Sequence, residues 1–393
     1  MVGHASSGAT ATKFSDFHDR VGIVSWDYGE NARGGLGRAI AEMMETLREQ
    51  GVSVEVFAPR YWLLVPRSSC IVFVWCFLRR WIARYRIQAV LLPTGPGGLF
   101  LFRKPKRCRL IVVSYHTYWQ QARMVPGQWW KRIFVPLERR TLHLADCVLC
   151  YSKDTERVLL QQYDVPQAKL ALLPQLLDVA AWSFSLPPTT YHLQPKESGL
   201  CVFIGRLDRR KGISILLRAW VLLQTYQYTS ILIHLPRLVI VGNGRLRRRT
   251  DRMIARLPSV SRVPSLPQEE LVRLVQRAEI VVCPSYLEGF GLVCAEAMAA
   301  GTAVVASDCD GLQSLIRHGE TGWLVPPGDP VALADGIITL LRDVALRERM
   351  TESAYAYIRR SFGRQESTQQ FLATFQESPV SSASCAAGLC VRW

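Results

Sequence analysis

Twice along this chain, short runs of β-branched and aliphatic residues alternate with longer segments whose apolar residues return every three or four positions. Strands that are apolar on both faces belong in a parallel sheet covered by helices, and the intervening helical segments supply the crossovers such a sheet requires. The first series predicts strands at 21–26, 52–57, 89–92, 110–114 and 147–150, with a helix over 36–50. The polar, proline-bearing stretch Ser185-Leu186-Pro187-Pro188-Thr189-Thr190 ends that series. A second series opens at 200–204 and continues with strands at 238–241, 280–283 and 303–307, followed by consecutive helices to about 375. The expected class is α/β: two facing Rossmann-like domains with a central cleft. Ligands of open parallel sheets bind beyond the carboxyl ends of the strands, so the functional residues are expected in post-strand loops.

Composition narrows the partners. Of the 393 residues 49% are hydrophobic, which excludes a disordered or collagen-like chain, and a net charge of +16 favours an anionic partner: nucleic acid, acidic lipid or a phosphorylated small molecule. Eleven cysteines are too few and odd in number for a disulfide scaffold, which points to a reducing, cytoplasmic setting. Cys147 and Cys150 form a CxxC inside an apolar run, with no second pair to complete a zinc site, so a buried strand is the better reading. The apolar stretch 71–78 is closed by Arg79 and Arg80, far short of a membrane span. Trp75, Trp81 and the arginines around them, with the run Arg103-Lys104-Pro105-Lys106-Arg107, instead make peripheral contact with an acidic membrane surface an expectation.

Three loops carry chemistry. The first leaves strand 21–26 with Gly34, Gly35 and Gly37 before a helix, where backbone N–H groups can approach an anion. Ile40 stands where a third glycine of a dinucleotide fingerprint belongs, so nicotinamide binding is poorly supported. The second, Gly205-Arg206-Leu207-Asp208-Arg209-Arg210-Lys211-Gly212, sets a guanidinium fork and a mobile ammonium where they can grip a diphosphate from two directions, while Arg209 and Arg210 read as solvated. The third, Pro284-Ser285-Tyr286-Leu287-Glu288-Gly289-Phe290-Gly291-Leu292-Val293-Cys294-Ala295-Glu296, places a turn with free N–H groups between two carboxylates eight residues apart. Carboxylates that accept from vicinal hydroxyls beside an anion-binding turn point to a sugar nucleotide.

With these pieces, together with Tyr115-His116-Thr117 after a middle strand and Thr321-Gly322-Trp323-Leu324-Val325-Pro326-Pro327-Gly328-Asp329, the sequence from about 21 to 375 resembles the retaining glycosyltransferases of family 4 and their GT-B fold. The resemblance implies that Arg206 and Lys211 hold the donor diphosphate and that Glu296 binds ribose hydroxyls. It places Glu288 on the transferred sugar, beside the backbone of Gly289, Phe290, Gly291 and Leu292. Gly34 and Gly35 would approach the phosphates from the other domain, and His116 the reacting face of the sugar. It further implies no metal and no cofactor, the UDP- or GDP-linked sugar being a substrate, and a glycan or lipid-linked acceptor hydroxyl. The domains expected on this basis are a flexible tail at 1–18, an acceptor domain at 19–186, a donor-binding domain at 187–354, helices at 355–375 returning to the first domain, and a tail at 376–393. Two other readings use the same residues: a sugar-nucleotide epimerase of the same two-domain fold, and a non-catalytic basic binding protein. No nucleic-acid-binding motif accompanies the basic runs, and no nucleic acid is expected as partner. Where the family reads Pro-Asn-Gly this chain has Pro174-Gln175-Leu176-Leu177-Asp178, and Val263-Pro264-Ser265-Leu266-Pro267 borders the expected base site, which leaves the base open.

Overall fold

The computed structural model describes residues 20–25, 35–57, 70–94, 100–182, 195–224, 236–362 and 364–375; Gly34, the 185–190 break and both predicted tails lie outside them. The first sheet has strands β1 (Arg20–Val24), β2 (Ser53–Phe57), β3 (Ala89–Pro93), β4 (Arg109–Ser114), β5 (Cys147–Cys150) and β6 (Leu170–Leu172), in spatial order β2-β1-β3-β4-β5-β6. The second has β7 (Leu200–Ile204), β8 (Arg237–Val241), β9 (Val260–Val263), β10 (Ile280–Cys283), β11 (Ala303–Ser307) and β12 (Trp323–Val325), in order β12-β11-β10-β7-β8-β9. Every pairing is parallel. Strand order reverses between β1 and β3 and again between β7 and β10, and a crevice opens at each reversal because consecutive crossovers leave to opposite sides.

The helices that bear on the site are α1 (Gly35–Glu49), α2 (Cys70–Tyr85), α3 (Tyr118–Met124), α4 (Val135–Leu144), α5 (Lys153–Tyr163) and α6 (Val179–Trp182) with the first sheet. With the second come α7 (Ile213–Leu223), α8 (Arg247–Ile254), α9 (Gln268–Arg277), α10 (Leu292–Ala299), α11 (Asp310–Gln313), α12 (Pro330–Arg342), α13 (Val344–Ser361) and α14 (Arg364–Ala373). Central strands are buried throughout, as in β3, β5, β10 and β11, which is why their sequences run apolar without alternation. Cys147 and Cys150, three apart on β5, point to opposite faces and join different core clusters, so they do not converge on one metal.

The sequence reading omitted β6, β9 and β12. Each is an outer strand of three or four residues, paired on one side only and half-exposed, so it carries no continuous apolar run; β9 includes Ser261 and Arg262. The membrane-facing reading of Trp81 is also corrected. Leu78, Trp81, Ile82 and Tyr85 form the inward stripe of α2, and the Trp81 ring packs tilted against Phe57 at 5.3 Å and lies over Gly22 of β1. Arg79, Arg80 and Arg84 take the outer face, as on any half-buried helix.

At the other end of the chain α13 packs on α10, and Arg347 Nη2 lies 2.7 Å from Glu279 Oε1. Beyond α14 the Thr374 carbonyl accepts from Arg109 Nε at 3.2 Å, which ties the last described residues to the start of β4 in the first sheet.

A Cβ on Gly22 would fall 2.5 Å from Trp81 Cη2. Gly22→Ala is therefore expected to lose about 1–3 kcal/mol of stability through overpacking, read as a lower urea midpoint, and Gly22→Ala with Trp81→Phe to recover part of it.

Candidate functional site

Because β7 and β10 are neighbours, the loops that leave them run side by side. They touch at Gly212, in the left-handed region at φ +67°, where a Cβ would fall 1.7 Å from the Pro284 carbonyl oxygen; only glycine fits. Tyr286 N–H donates to the Arg210 carbonyl at 2.8 Å and fixes the register between them. This brings Lys211 Nζ to 2.5 Å from Glu288 Oε1 and Arg210 Nη1 to 3.3 Å from Oε2, while Ser285 Oγ donates to Oε1 at 2.6 Å. Burial by itself would raise the Glu288 pKa. Lys211 and Arg210, with the hydrogen bonds from Lys211 and Ser285, outweigh it and hold the carboxyl at about 2. Arg210, read from sequence as solvated, also donates to the Leu287 carbonyl at 2.9 Å and is a structural member of this cluster. Arg209 is exposed and reaches the Pro126 carbonyl of the first domain at 3.5 Å.

Arg206 differs from Lys211. Its side chain is 58% exposed, with Nε 3.0 Å from Asp208 Oδ2, so its guanidinium stands at the cleft with donors to spare. Asp208 also accepts from the Lys211 N–H at 3.0 Å, which shapes the turn that presents both cations.

The second carboxylate sits one turn inside α10. Gly291 caps that helix at φ +96°, and a Cβ there would lie 2.3 Å from Leu312 Cδ2. The Phe290 ring turns away to pack edge-on against Phe362 at 5.2 Å, so this residue offers the cleft its backbone. Glu296 is 3% exposed; its Oε1 lies 2.6 Å from Arg38 Nη1 on α1, an ion contact across the domains outside hydrogen-bonding alignment, and its Oε2 has no partner. Burial raises the Glu296 pKa, and Arg38 opposes the rise. Gly35 stands beside the start of α10, its Cβ position 3.9 Å from Leu292 Cδ1. A cavity of about 210 Å³ opens between α1, residues 176–182, α9 and α10, with Glu296, Arg38, Gln268 and Asp178 on its wall.

Across from these loops, β4 delivers Tyr115, His116 and Thr117. Thr117 caps α3 in a reciprocal box with Gln120, which sets the backbone that carries His116. A Cβ on Gly289 would lie 2.6 Å from the Tyr115 carbonyl oxygen, so the two domains meet there backbone to backbone. Burial, then the charge of Arg210, pushes the His116 pKa well below the ordinary range, leaving a neutral imidazole whose Nδ1 has no partner. Gln120 Nε2 donates to Asp310 Oδ2 at 2.9 Å and closes this end of the cleft. Lys131, on the 3₁₀ helix Trp129–Phe134, donates to Gln121 Oε1 at 2.6 Å; burial, with Asp208 opposing and Arg210, Arg245 and Arg206 assisting, brings its pKa down to about 8.

The structure thus brings His116, Lys211, Glu288, Gly289, Gly291, Leu292, Glu296 and Gly35 to one cleft with Arg206 at its rim. Sequence reasoning missed Arg38, Lys131, Arg210 and the Gln120–Asp310 pair. For Arg38 a signal existed: it stands three residues after Gly35, hence on the same helix face. For Lys131 there was none, since the charged groups that act on it, Asp208, Arg210, Arg245 and Arg206, lie 75 or more positions away. Among the described residues no group of three His, Cys, Asp or Glu is placed to hold a metal ion.

Residues 33–181 match the family described as Glycosyltransferase Family 4, and residues 191–357 that described as Glycosyl transferases group 1. The chain belongs to glycosyltransferase family 4. The phosphatidyl-myo-inositol mannosyltransferase of Mycobacterium tuberculosis is 37% identical over 177 residues, 42% of this chain and 44% of that protein, so the match spans less than half the relative's length. Sucrose-phosphate synthase from Thermosynechococcus elongatus superposes with a TM-score of 0.73 at 22% identity, over 94% of this chain and all of the other. Anabaena HepE, crystallised with UDP-glucose, superposes with a TM-score of 0.66 at 18% identity over 91% and 99%. The fold is GT-B, two Rossmann-like layers meeting at the carboxyl ends of their strands.

The Glu288 cluster has a pH signature. A carboxyl held at about 2 contributes stability that is present above its unfolded value near 4.5 and is lost as pH falls toward 2. Glu288→Gln is expected to lower stability at pH 7 by on the order of 3 kcal/mol and to flatten the stability profile between pH 4.5 and 2, measured by urea unfolding at a series of pH values.

Proposed function

We propose that the protein is a retaining, metal-independent hexosyltransferase that moves a sugar from a UDP- or GDP-linked donor to a glycan or lipid-linked acceptor hydroxyl. One observation carries the reading: buried polar atoms that lack partners, Glu296 Oε2 and His116 Nδ1, line the cleft that also holds the cations Arg206 and Lys211. Buried polar groups are satisfied in native proteins, so such a set marks where a polyhydroxylated, anionic ligand completes them.

In this reading the ribose hydroxyls donate to Glu296, with the nucleoside toward the 210 Å³ cavity, and the diphosphate lies between Arg206, Lys211 and the N–H groups at the start of α10. Glu288, kept ionised by Lys211 and Arg210, accepts from hydroxyls of the transferred sugar. As the bond from the anomeric carbon to the diphosphate breaks, negative charge grows on the departing oxygen and the two cations stabilise it. The contribution of one such donor is roughly 3 to 4 kcal/mol. The acceptor oxygen then forms the new bond on the face the diphosphate leaves, and its proton passes to the leaving diphosphate. His116, neutral at physiological pH, can hydrogen-bond a sugar hydroxyl without adding a charge that would oppose the oxocarbenium-like state. The name of the mycobacterial relative specifies a lipid acceptor, which with the charge of +16 supports a membrane-borne acceptor and a cytoplasmic, peripheral location. Among the described residues no helix is long and apolar enough to cross a membrane.

The test is thermal stability with UDP, GDP, ADP and dTDP in the presence of chelator. Ligand at about 100 times its Kd adds about 2.7 kcal/mol, a shift of several degrees. A shift with one nucleotide, lost in Arg206→Ala and in Glu296→Ala, is expected and names the base; no shift with any of them overturns the reading. Incubation with the sugar nucleotide alone separates the epimerase, which would change the donor sugar, from a transferase, which at most hydrolyses it.

A further inference from the structure

The first domain carries an apolar and cationic surface that neither the donor site nor the core uses. Eight large hydrophobic side chains stand out as exposed among the described residues, and three of them fall within five positions: Trp129 at 73%, Trp130 at 46% and Ile133 at 67%. They lie on the 3₁₀ turn Trp129–Phe134, which joins α3 to α4 and buries none of its own residues. Phe102, 38% exposed, extends the patch, because Phe100 stacks on Phe134 and Arg140 holds the Phe102 carbonyl at 3.0 Å.

Cations outnumber acids over the same region, with Lys104 paired to Asp146 and Arg139 to Asp164. Residues 100–144 contain ten Lys and Arg against a single acid, Glu138. That acid is 0% exposed and accepts from the Tyr118 N–H at 2.9 Å and from the Tyr163 hydroxyl, so it offers no negative charge to the surface. Arg132 lies within the turn itself. Beside it a recess of about 220 Å³ opens between Pro126, Arg209, Arg218 and Arg249, with no acid on its wall.

The patch stands at the mouth of the cleft. Arg209, from the loop that carries Arg206 and Lys211, reaches the Pro126 carbonyl, and Lys131 turns inward to Gln121 while its neighbours Trp130 and Arg132 remain on the turn's surface.

We infer that Trp129, Trp130 and Ile133, with the surrounding lysines and arginines, form a docking surface for an anionic lipid bilayer, placing the cleft mouth against the membrane that carries the acceptor. The inference rests on the reading of a membrane-borne acceptor and names the surface that meets it. Charge complementarity and side-chain type select this partner. Indole rings seat at the headgroup level, an exposed isoleucine gains from acyl chains, and nearby cations are drawn to acidic lipid. A nucleic acid would use the cations and could stack on the indoles, but it gives Ile133 no partner. The surface is also distinct from α2, whose Trp81 the structure turns into the core.

The experiment is co-sedimentation of the full chain with vesicles of phosphatidylcholine alone and of phosphatidylcholine mixed with phosphatidylglycerol, for the wild type and for the triple variant Trp129→Ser, Trp130→Ser, Ile133→Ser. Val331→Ser with Val344→Ser, also exposed but on the second domain, is the control. The wild type and the control are expected to bind acidic vesicles and not neutral ones, and the triple variant to partition about tenfold or more weakly. Brominated lipid is expected to quench indole emission in the wild type and much less in the triple variant. Wild type that ignores acidic vesicles, a triple variant that binds them as well as wild type, or a loss in the triple variant of binding to single-stranded RNA rather than to vesicles would each overturn the inference. The nucleotide-induced thermal shift, measured on the same preparations, keeps the two readings apart: it should survive in the triple variant, and its absence in the wild type counts against the donor site, not against this surface.

Discussion

A carboxylate that is taken out of water has to be met by positive charge at close range, and much of the geometry of this cleft follows from meeting Glu288. Its desolvation would cost several kcal/mol on its own. Lys211 at 2.5 Å, Arg210 at 3.3 Å and Ser285 at 2.6 Å reverse that balance and keep it ionised. To bring them there the loops after β7 and β10 must touch, and Gly212 is the residue that lets them. The same cluster therefore fixes the loop shape, holds Lys211 at the cleft and leaves Arg206 as the more exposed of the two cations.

The first domain completes what the second begins. Arg38 answers Glu296, Gln120 answers Asp310, and Tyr115 meets Gly289, so three contacts between the domains surround the space where donor groups are proposed to lie. Two of them involve buried carboxylates whose pKa burial raises, and each depends on a partner from the opposite domain. The chain end supports the arrangement, with α13 against α10 and Thr374 tied to Arg109.

Much of this was legible in the residues. Central strands announced themselves because burial on both faces demands an unbroken apolar run, as in Ala89–Pro93 or Ala303–Ser307. The short outer strands were silent, since one-sided pairing accepts polar residues such as Ser261 and Arg262. Glu288, Glu296, Arg206 and Lys211 could be singled out because glycine-rich loops after strands have few other uses for such residues. Arg210 was misjudged for a related reason: a run of cations looks solvated until its acid, 78 positions on, is known. Trp81 misled in the same way, for an aromatic beside arginines reads as interfacial, and nothing in the sequence couples it to Gly22.

By itself the sequence determined the two α/β layers, the post-strand loops that line the cleft and the family, because strand burial, helix period and motif spacing are local properties of the chain. Only the tertiary structure decided which charges meet, since Lys211 with Glu288, Arg38 with Glu296 and Gln120 with Asp310 pair across 77 to 258 positions and depend on sheet order and domain contact. It also decided which aromatic residues face outward. Trp81 and Trp129 are equally apolar and each has basic residues nearby, yet one fills the space above a glycine while the other, on a 3₁₀ segment that packs through Phe134, is left to solvent.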